Sequence, residues 1–170
     1  MASSVAGHRK AFGTDTVPGC YEDLEEADLI VLVGSNLAWC HPVIYQRIAA
    51  AKEARPDMKV VLVDPRHTMT ANLADIHLPI NPDGDVALFA GLLVHLSKAG
   101  VLDADYIENY TSGFEEALTQ AASLSNEQLM EDTGLSLKTL EEFYALFEST
   151  EKVVTVYSKG STNLAAARIK

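Results

Sequence analysis

The apolar positions of this chain gather into short runs separated by longer stretches with helical spacing. Leu29–Val33 is five apolar residues without interruption, closed by Gly34-Ser35-Asn36. A short run rich in branched residues and bounded by turn residues predicts a strand buried on both faces. Residues 60–63, between Lys59 and Asp64, have the same character, as does Val153–Tyr157. A weaker apolar piece at 76–80 predicts a further strand over 78–80. Between the first two runs Val43, Ile44, Arg47, Ile48 and Ala51 recur at helical spacing, and Pro42 suits the first turn. That helix runs to about Ala54, and Pro56-Asp57 breaks it. Strand, helix, strand in this order predicts parallel neighbours joined by a right-handed crossover.

The other stretches read as helices. Residues 2–12 predict a short one, with Ser3 or Ser4 as cap and Gly13 at its end. Pro18-Gly19 marks a turn, and the acidic segment 21–27 predicts one or two helical turns leading into the first strand. Asp85 caps an amphipathic helix over 86–99, with Gly100 as its stop. From Val101 to Ser149 no strand signal occurs, and 114–122, 126–132 and 136–147 read as helices. In the last of these Leu137, Leu140, Phe143, Tyr144 and Phe147 make one apolar face, and Ser136 is the cap. The expectation is one α/β domain over 1–170: a Rossmann-like open, mainly parallel sheet flanked by helices, with an inserted helical stretch.

Composition narrows the function. A chain of 170 residues with 48% hydrophobic and 22% charged residues can bury one sizeable core. Its net charge of −11 argues against sequence-independent nucleic-acid binding, which needs Lys and Arg on phosphates. The acidity reads as a solvated surface. Cys20 and Cys40 have no metal spacing and read as two buried or half-buried thiols. No apolar run reaches the roughly 18 residues of a membrane helix. The start carries basic residues but no apolar core behind them, so it does not read as a signal peptide, and a cytoplasmic location is expected.

The chemistry lies in the loops. A buried strand, a small-residue loop and a helix N-terminus can bind phosphate through backbone N–H groups. In an open parallel sheet such loops meet outside the carboxyl ends of the strands. The loops 34–41, 64–68 and 83–85 are expected at that crevice. Asp64, ending the second strand, is either the carboxylate for a ribose hydroxyl pair or a turn cap beside Pro65. His67 and His77 read as ordinary loop and strand residues. There is no GxGxxG, no P-loop, no GxSxG and no HExxH, so no catalytic residue and no metal ligand is assigned.

Four segments together carry a resemblance. Met1-Ala2-Ser3-Ser4-Val5-Ala6-Gly7, Gly19-Cys20-Tyr21-Glu22-Asp23, Gly34-Ser35-Asn36 with His41-Pro42, and Asp64-Pro65-Arg66 stand in the order and spacing of the molybdopterin oxidoreductases. The chain resembles that family from Met1 to about Tyr157, the assimilatory nitrate reductases first and the periplasmic type next. The resemblance implies one α/β domain of a large subunit that reduces nitrate to nitrite. Such a subunit carries a bis-molybdopterin guanine dinucleotide with molybdenum, and a 4Fe–4S cluster outside this segment. Its partners would be the remaining domains of the subunit, an electron-donor protein or domain, and nitrate, with no nucleic acid and no membrane. The molybdenum-ligating cysteine of the family would stand immediately before Met1, a position that neither Cys20 nor Cys40 occupies. The isolated domain is expected to be inert.

Carried over by position, Gly34, Ser35, Asn36, Leu37 and His41 would contact the pyrophosphate and pterin side of the cofactor. Asp64, Pro65, Arg66, His67 and Thr68 would surround the guanosine ribose and base. Asp83, Gly84 and Asp85 would reach the guanine end. Two departures stand out: Asp83 occupies a place where relatives usually have glycine, and the tail 158–170 does not follow the family's pattern. The alternatives are the same domain of another family member, such as a formate dehydrogenase, or a non-catalytic nucleotide-binding module.

Overall fold

The computed structural model of the chain describes residues 2–157, and the side chains of 5–157. The tail 158–170 lies outside the described residues, as do the side chains of Ser3 and Ser4. Four strands, β1 (Leu29–Val33), β2 (Lys59–Val63), β3 (Ile76–Leu78) and β4 (Val153–Tyr157), form one sheet in the order β3-β2-β1-β4. Every pairing is parallel, with Val33 opposite Val63 on one side and Tyr157 on the other. β3 lies two residues earlier than the expected 78–80. Pro79 has no N–H to give to a ladder and ends the strand at Leu78.

In β1 and β2 the uninterrupted apolar runs are explained by burial on both faces, whereas β4, expected to be buried likewise, is only half-buried along its length because it ends the strand order of the described sheet. Ile30, Leu32, Val60 and Leu62 pack with Leu24, Leu37, Ile48 and Leu73, from α2 (Tyr21–Glu26), α3 (Leu37–Cys40), α4 (Pro42–Ala54) and the 3₁₀ turn Met69–Leu73, and with Met58 in the turn before β2. The alternate residues Leu29, Val31, Val33, Val61 and Val63 are buried as well. Burying such branched side chains contributes roughly 1.5–3 kcal/mol each. Charged side chains fix the helices to the strands. Arg55 donates to the carbonyls of Glu25 and Ala27 and to Asp28 Oδ1, which holds the entry to β1. Lys52 pairs with Asp75, whose Oδ2 also accepts the Val60 N–H at 2.8 Å. The N-terminal helix α1 spans Ala2–Phe12, and the His8 ring stands 5.7 Å from that of Tyr157, at the end of β4.

The chain divides into two compact units. The sheet unit takes 2–79 and 150–157, and 80–149 make the second. The second unit is helical: α5 (Asp85–Ala99), α6 (Ala104–Tyr110), α7 (Phe114–Ala122), α8 (Asn126–Thr133) and α9 (Leu137–Ser149). Ser136 caps α9 as expected, accepting the Thr139 N–H at 3.1 Å. Tyr144 of α9 donates its hydroxyl to the Leu88 carbonyl of α5 at 3.0 Å. The unit holds thirteen carboxylates against Lys98 and Lys138, so the whole formal charge of −11 resides there.

Candidate functional site

In a sheet ordered 3-2-1-4 the chain runs outward on one side of β1 and returns on the other. Ligands of such sheets bind where that direction reverses, outside the carboxyl ends of the strands. Gly34 occupies this point. Its N–H extends the ladder to the Val63 carbonyl at 2.8 Å, and its φ of +54° then turns the chain out of the sheet. Ser35 is buried, and a single helical turn, α3, follows before α4 begins at Pro42. The sequence pattern did not anticipate α3. It buries Leu37 and leaves Trp39, Cys40 and His41 exposed. Thr70, fully buried, locks this loop. Its hydroxyl accepts the Ala38 N–H at 3.2 Å and bonds to Asn36 Oδ1 at 3.3 Å.

The neighbouring loop follows β2. Asp64 is buried, its N–H donating to the Leu78 carbonyl at 3.2 Å. Its Oδ1 accepts the Arg66 N–H at 2.8 Å, which is a local turn cap beside Pro65. The Arg66 guanidinium stands 3.7 Å from the same oxygen but is three-quarters exposed, so that ion pair contributes little. His77 on β3 donates Nε2–H to the Asp64 carbonyl at 2.8 Å, since a carbonyl can only accept. The His67 ring meets His77 edge-on at 5.3 Å. Thr68 Oγ1 caps the 3₁₀ turn by accepting the Thr70 N–H at 3.3 Å. Arg66, His67 and the ends of β1 and β2 therefore share one edge of the sheet unit.

In the helical unit, Asp83, Gly84 and Asp85 form the turn into α5. Asp85 was expected to cap this helix, but it is the first helical residue and Gly84 takes the cap position. The Gly84 N–H to the Asn81 carbonyl, at 3.0 Å, starts the winding one residue early. Asp85 Oδ1 accepts the adjacent Val86 N–H, at 3.1 Å, and Oδ2 is buried with no hydrogen-bond partner. Burial pushes the Asp85 carboxyl above the usual aspartate range; the Val86 N–H opposes this, and the charge of Asp83 adds to it. Asp83 has a φ of +66°, a left-handed conformation that glycine adopts freely. A glycine at this position would adopt that conformation without strain.

Both cysteines are free and exposed, against the expectation of buried or half-buried thiols. Cys20 lies in the loop before α2, and Cys40 ends the single turn α3, whose one buried side chain is Leu37. Among the described residues no group of three or more His, Cys, Asp and Glu is placed to hold a metal ion. Thr70 and Asn81, which sequence reading passed over, and His77, read as an ordinary strand residue, act through contacts distant in the chain. Thr70 reaches back to Asn36, a pairing that no local spacing signals.

A family model described as molybdopterin oxidoreductase matches residues 2–164. A nitrate reductase of Shewanella frigidimarina is 46% identical over 162 residues, covering 94% of this chain and 17% of that protein. An assimilatory nitrate reductase of Haloferax mediterranei is 34% identical over 149 residues, covering 88% and 20% respectively. The chain thus spans about a fifth of the length of these relatives. Among solved structures, acetylene hydratase from Pelobacter acetylenicus superposes with a TM-score of 0.75 at 22% identity, over 92% of this chain and 21% of that one. That likeness supports the fold alone.

Proposed function

We propose that this chain, which belongs to the molybdopterin oxidoreductases, is the domain of a nitrate reductase that holds one molybdopterin guanine dinucleotide. The larger subunit would reduce nitrate to nitrite in the cytoplasm, with a 4Fe–4S cluster and an electron donor outside this segment. The bound cofactor would supply the redox chemistry, and this chain would bind and orient it. By itself the chain would catalyse nothing.

The observation that carries the reading is Asp85 Oδ2, a buried acceptor without a donor at the start of a fifteen-residue helix. A buried polar atom left unpaired costs about 1–3 kcal/mol, so its retention is accounted for by a ligand that supplies the hydrogen. Guanine presents two N–H donors on one edge, and a carboxylate accepts both. Adenine presents a ring acceptor where guanine has N1–H, and would meet that carboxylate with repulsion. On this reading Asp83, Gly84 and Asp85 serve the guanine end. Asp64, Pro65, Arg66, His67 and Thr68 serve the guanosine ribose and base. Gly34, Ser35, Asn36, Leu37 and His41 serve the pyrophosphate and pterin side. Gly34 fits this role because it turns the chain out of the sheet at φ +54° with no side chain in the way of a phosphate, its own N–H remaining on the Val63 carbonyl. Trp39, Val43 and Met69, all more than half exposed, lie in and just after these loops. Large apolar side chains left in water there support the reading that further protein or cofactor covers them.

The test is a titration of the chain with GDP and ADP followed by amide chemical shifts. Wild-type chain should favour GDP, with shifts at Gly34–Asn36, Asp64 and Asp85. Asp85→Ala should lower the GDP-over-ADP ratio about tenfold or more, the worth of one hydrogen bond to a charged group. An unchanged ratio, or shifts clustered elsewhere, would overturn the site.

A further inference from the structure

The turn bearing Asp83, Gly84 and Asp85 is bound to a part of the chain some fifty residues away. The Asn81 N–H donates to the Thr133 carbonyl at 2.8 Å, and Asn81 Nδ2 donates to the Glu131 carbonyl at 3.2 Å. A Cβ on Gly84 would stand 2.7 Å from the Asp132 carbonyl oxygen and 3.0 Å from Thr133 Cα, so backbone meets backbone there. A Cβ on Gly134 would stand 2.7 Å from Asn81 Oδ1. The anchor is itself held firmly. Thr133 is fully buried, and its hydroxyl accepts the Leu135 N–H at 3.2 Å while bonding back to the Leu129 carbonyl. At the far end of α8, Ser125 caps the helix by accepting the Gln128 N–H at 3.2 Å.

We propose that the C-terminal turn of α8, Glu131 to Gly134, is the anchor that sets the guanine-reading turn, with Asn81 as the positioning residue that transmits it. This rests on the guanine reading given above. A side chain that must meet a flat base edge has to be held to a fraction of an ångström, and a surface turn between proline and a helix does not hold itself. Asn81 satisfies two carbonyls at the end of α8, which as a helix terminus has unpaired acceptors to offer. Its own carbonyl takes the Gly84 N–H, so the hydrogen bonds run without a break from α8 to the residue before Asp85. The helical unit is then part of the recognition apparatus although none of its residues beyond the turn is assigned to the ligand.

The experiment follows the Asp85 carboxyl directly by carbon-13 NMR pH titration of the 170-residue chain without nucleotide, together with the GDP-over-ADP ratio. In wild type the Asp85 carboxyl should titrate above ordinary aspartates. Asn81→Ala, and the milder Asn81→Ser, which is too short to reach Glu131, should let water reach Asp85 and bring its titration back toward the ordinary range. The nucleotide ratio should fall about fivefold, the equivalent of one lost hydrogen bond. Ser125→Ala, which loosens the other end of α8, is the control and should leave the Asp85 titration in place. The anchor is overturned if both Asn81 variants leave that titration at the wild-type value, or if Ser125→Ala moves it as far. A wild-type chain with no preference for GDP would refute the guanine reading, while the carboxyl titration would still decide the anchor.

Discussion

Gly91→Ala offers a sharp check on the packing of the helical unit, because two effects of known size oppose each other. Gly91 lies inside α5, where glycine is about 1 kcal/mol less favourable than alanine, so propensity alone predicts stabilisation. The neighbours reverse the sign. A Cβ at Gly91 would collide with the Tyr144 hydroxyl and stand 3.0 Å from its Cζ and 3.2 Å from Leu129 Cδ1. Tyr144 has little room to retreat. Its ring contacts His95 at 5.6 Å and Phe143 at 5.9 Å, and its hydroxyl is spent on the Leu88 carbonyl. Displacing it costs that hydrogen bond, about 1 kcal/mol net, plus about 1–3 kcal/mol of overpacking. After the helix gain is subtracted, the substitution should destabilise by about 1–3 kcal/mol, or roughly 2–4 °C in Tm per kcal/mol. Urea unfolding followed by circular dichroism measures this. The background variant Tyr144→Phe removes the colliding oxygen, so the cost of Gly91→Ala should fall by about 1 kcal/mol or more there. A Gly91→Ala chain as stable as wild type, or a cost indifferent to Tyr144→Phe, would refute the geometry of the α5–α9 contact.

Asp83→Gly should raise stability by about 1 kcal/mol, because it relieves a left-handed non-glycine residue, whereas Asp83→Ala should not; thermal unfolding of the two variants separates strain from charge. Asp75 is an acid-sensitive group of the sheet unit: burial raises its pKa, but the Lys52 hydrogen bond and the Val60 N–H together hold it below the usual aspartate range. A carboxyl depressed on folding contributes stability above its unfolded pKa and loses it as pH falls through the folded value. The stability gap between wild type and Asp75→Asn should therefore be widest near neutral pH and shrink in acid below the ordinary aspartate range; a gap that grows in acid would reverse the assignment.

How far the sequence is legible follows from the range of the interactions. β1 and β2 are readable because burial on both faces demands an unbroken apolar run, and Leu29–Val33 supplies one. The helix from Pro42 to Ala54 is readable because its cap, period and breaker are all local. β3 is read two residues late because Ile80 carries the apolar signal while Pro79 controls the hydrogen bonds. α3 and α6 escape notice since neither has a periodic apolar face; α6 buries no residue and is started by Asp103, which accepts the Tyr106 N–H at 2.8 Å. The loop residues at Gly34 and Asp64 can be located as strand ends, but Thr70, His77 and Asn81 become visible only when distant segments are brought together. Cys20 and Cys40 show the converse error: a residue type that favours the interior lies here on pieces too short to bury more than one side chain each.

The candidate loops differ in what they still have to offer, and this decides where selectivity can reside. At the sheet edge, several polar groups that could read a base are already engaged. Asn36 Oδ1 bonds Thr70, Asp64 Oδ1 caps Arg66, and the Asp64 carbonyl is taken by His77. Such groups give a loop its shape and present backbone, so they suit the parts of a dinucleotide that every nucleotide shares. The turn before α5 has the opposite character. It retains an acceptor that is out of water and unpaired, beside a second carboxylate and held by α8. An acceptor in that state gains little from water and much from a donor placed at one position, and it penalises a ligand that lacks the donor. On the proposed reading, phosphate and ribose recognition would accordingly tolerate exchange of one nucleotide for another, while discrimination would rest on Asp85.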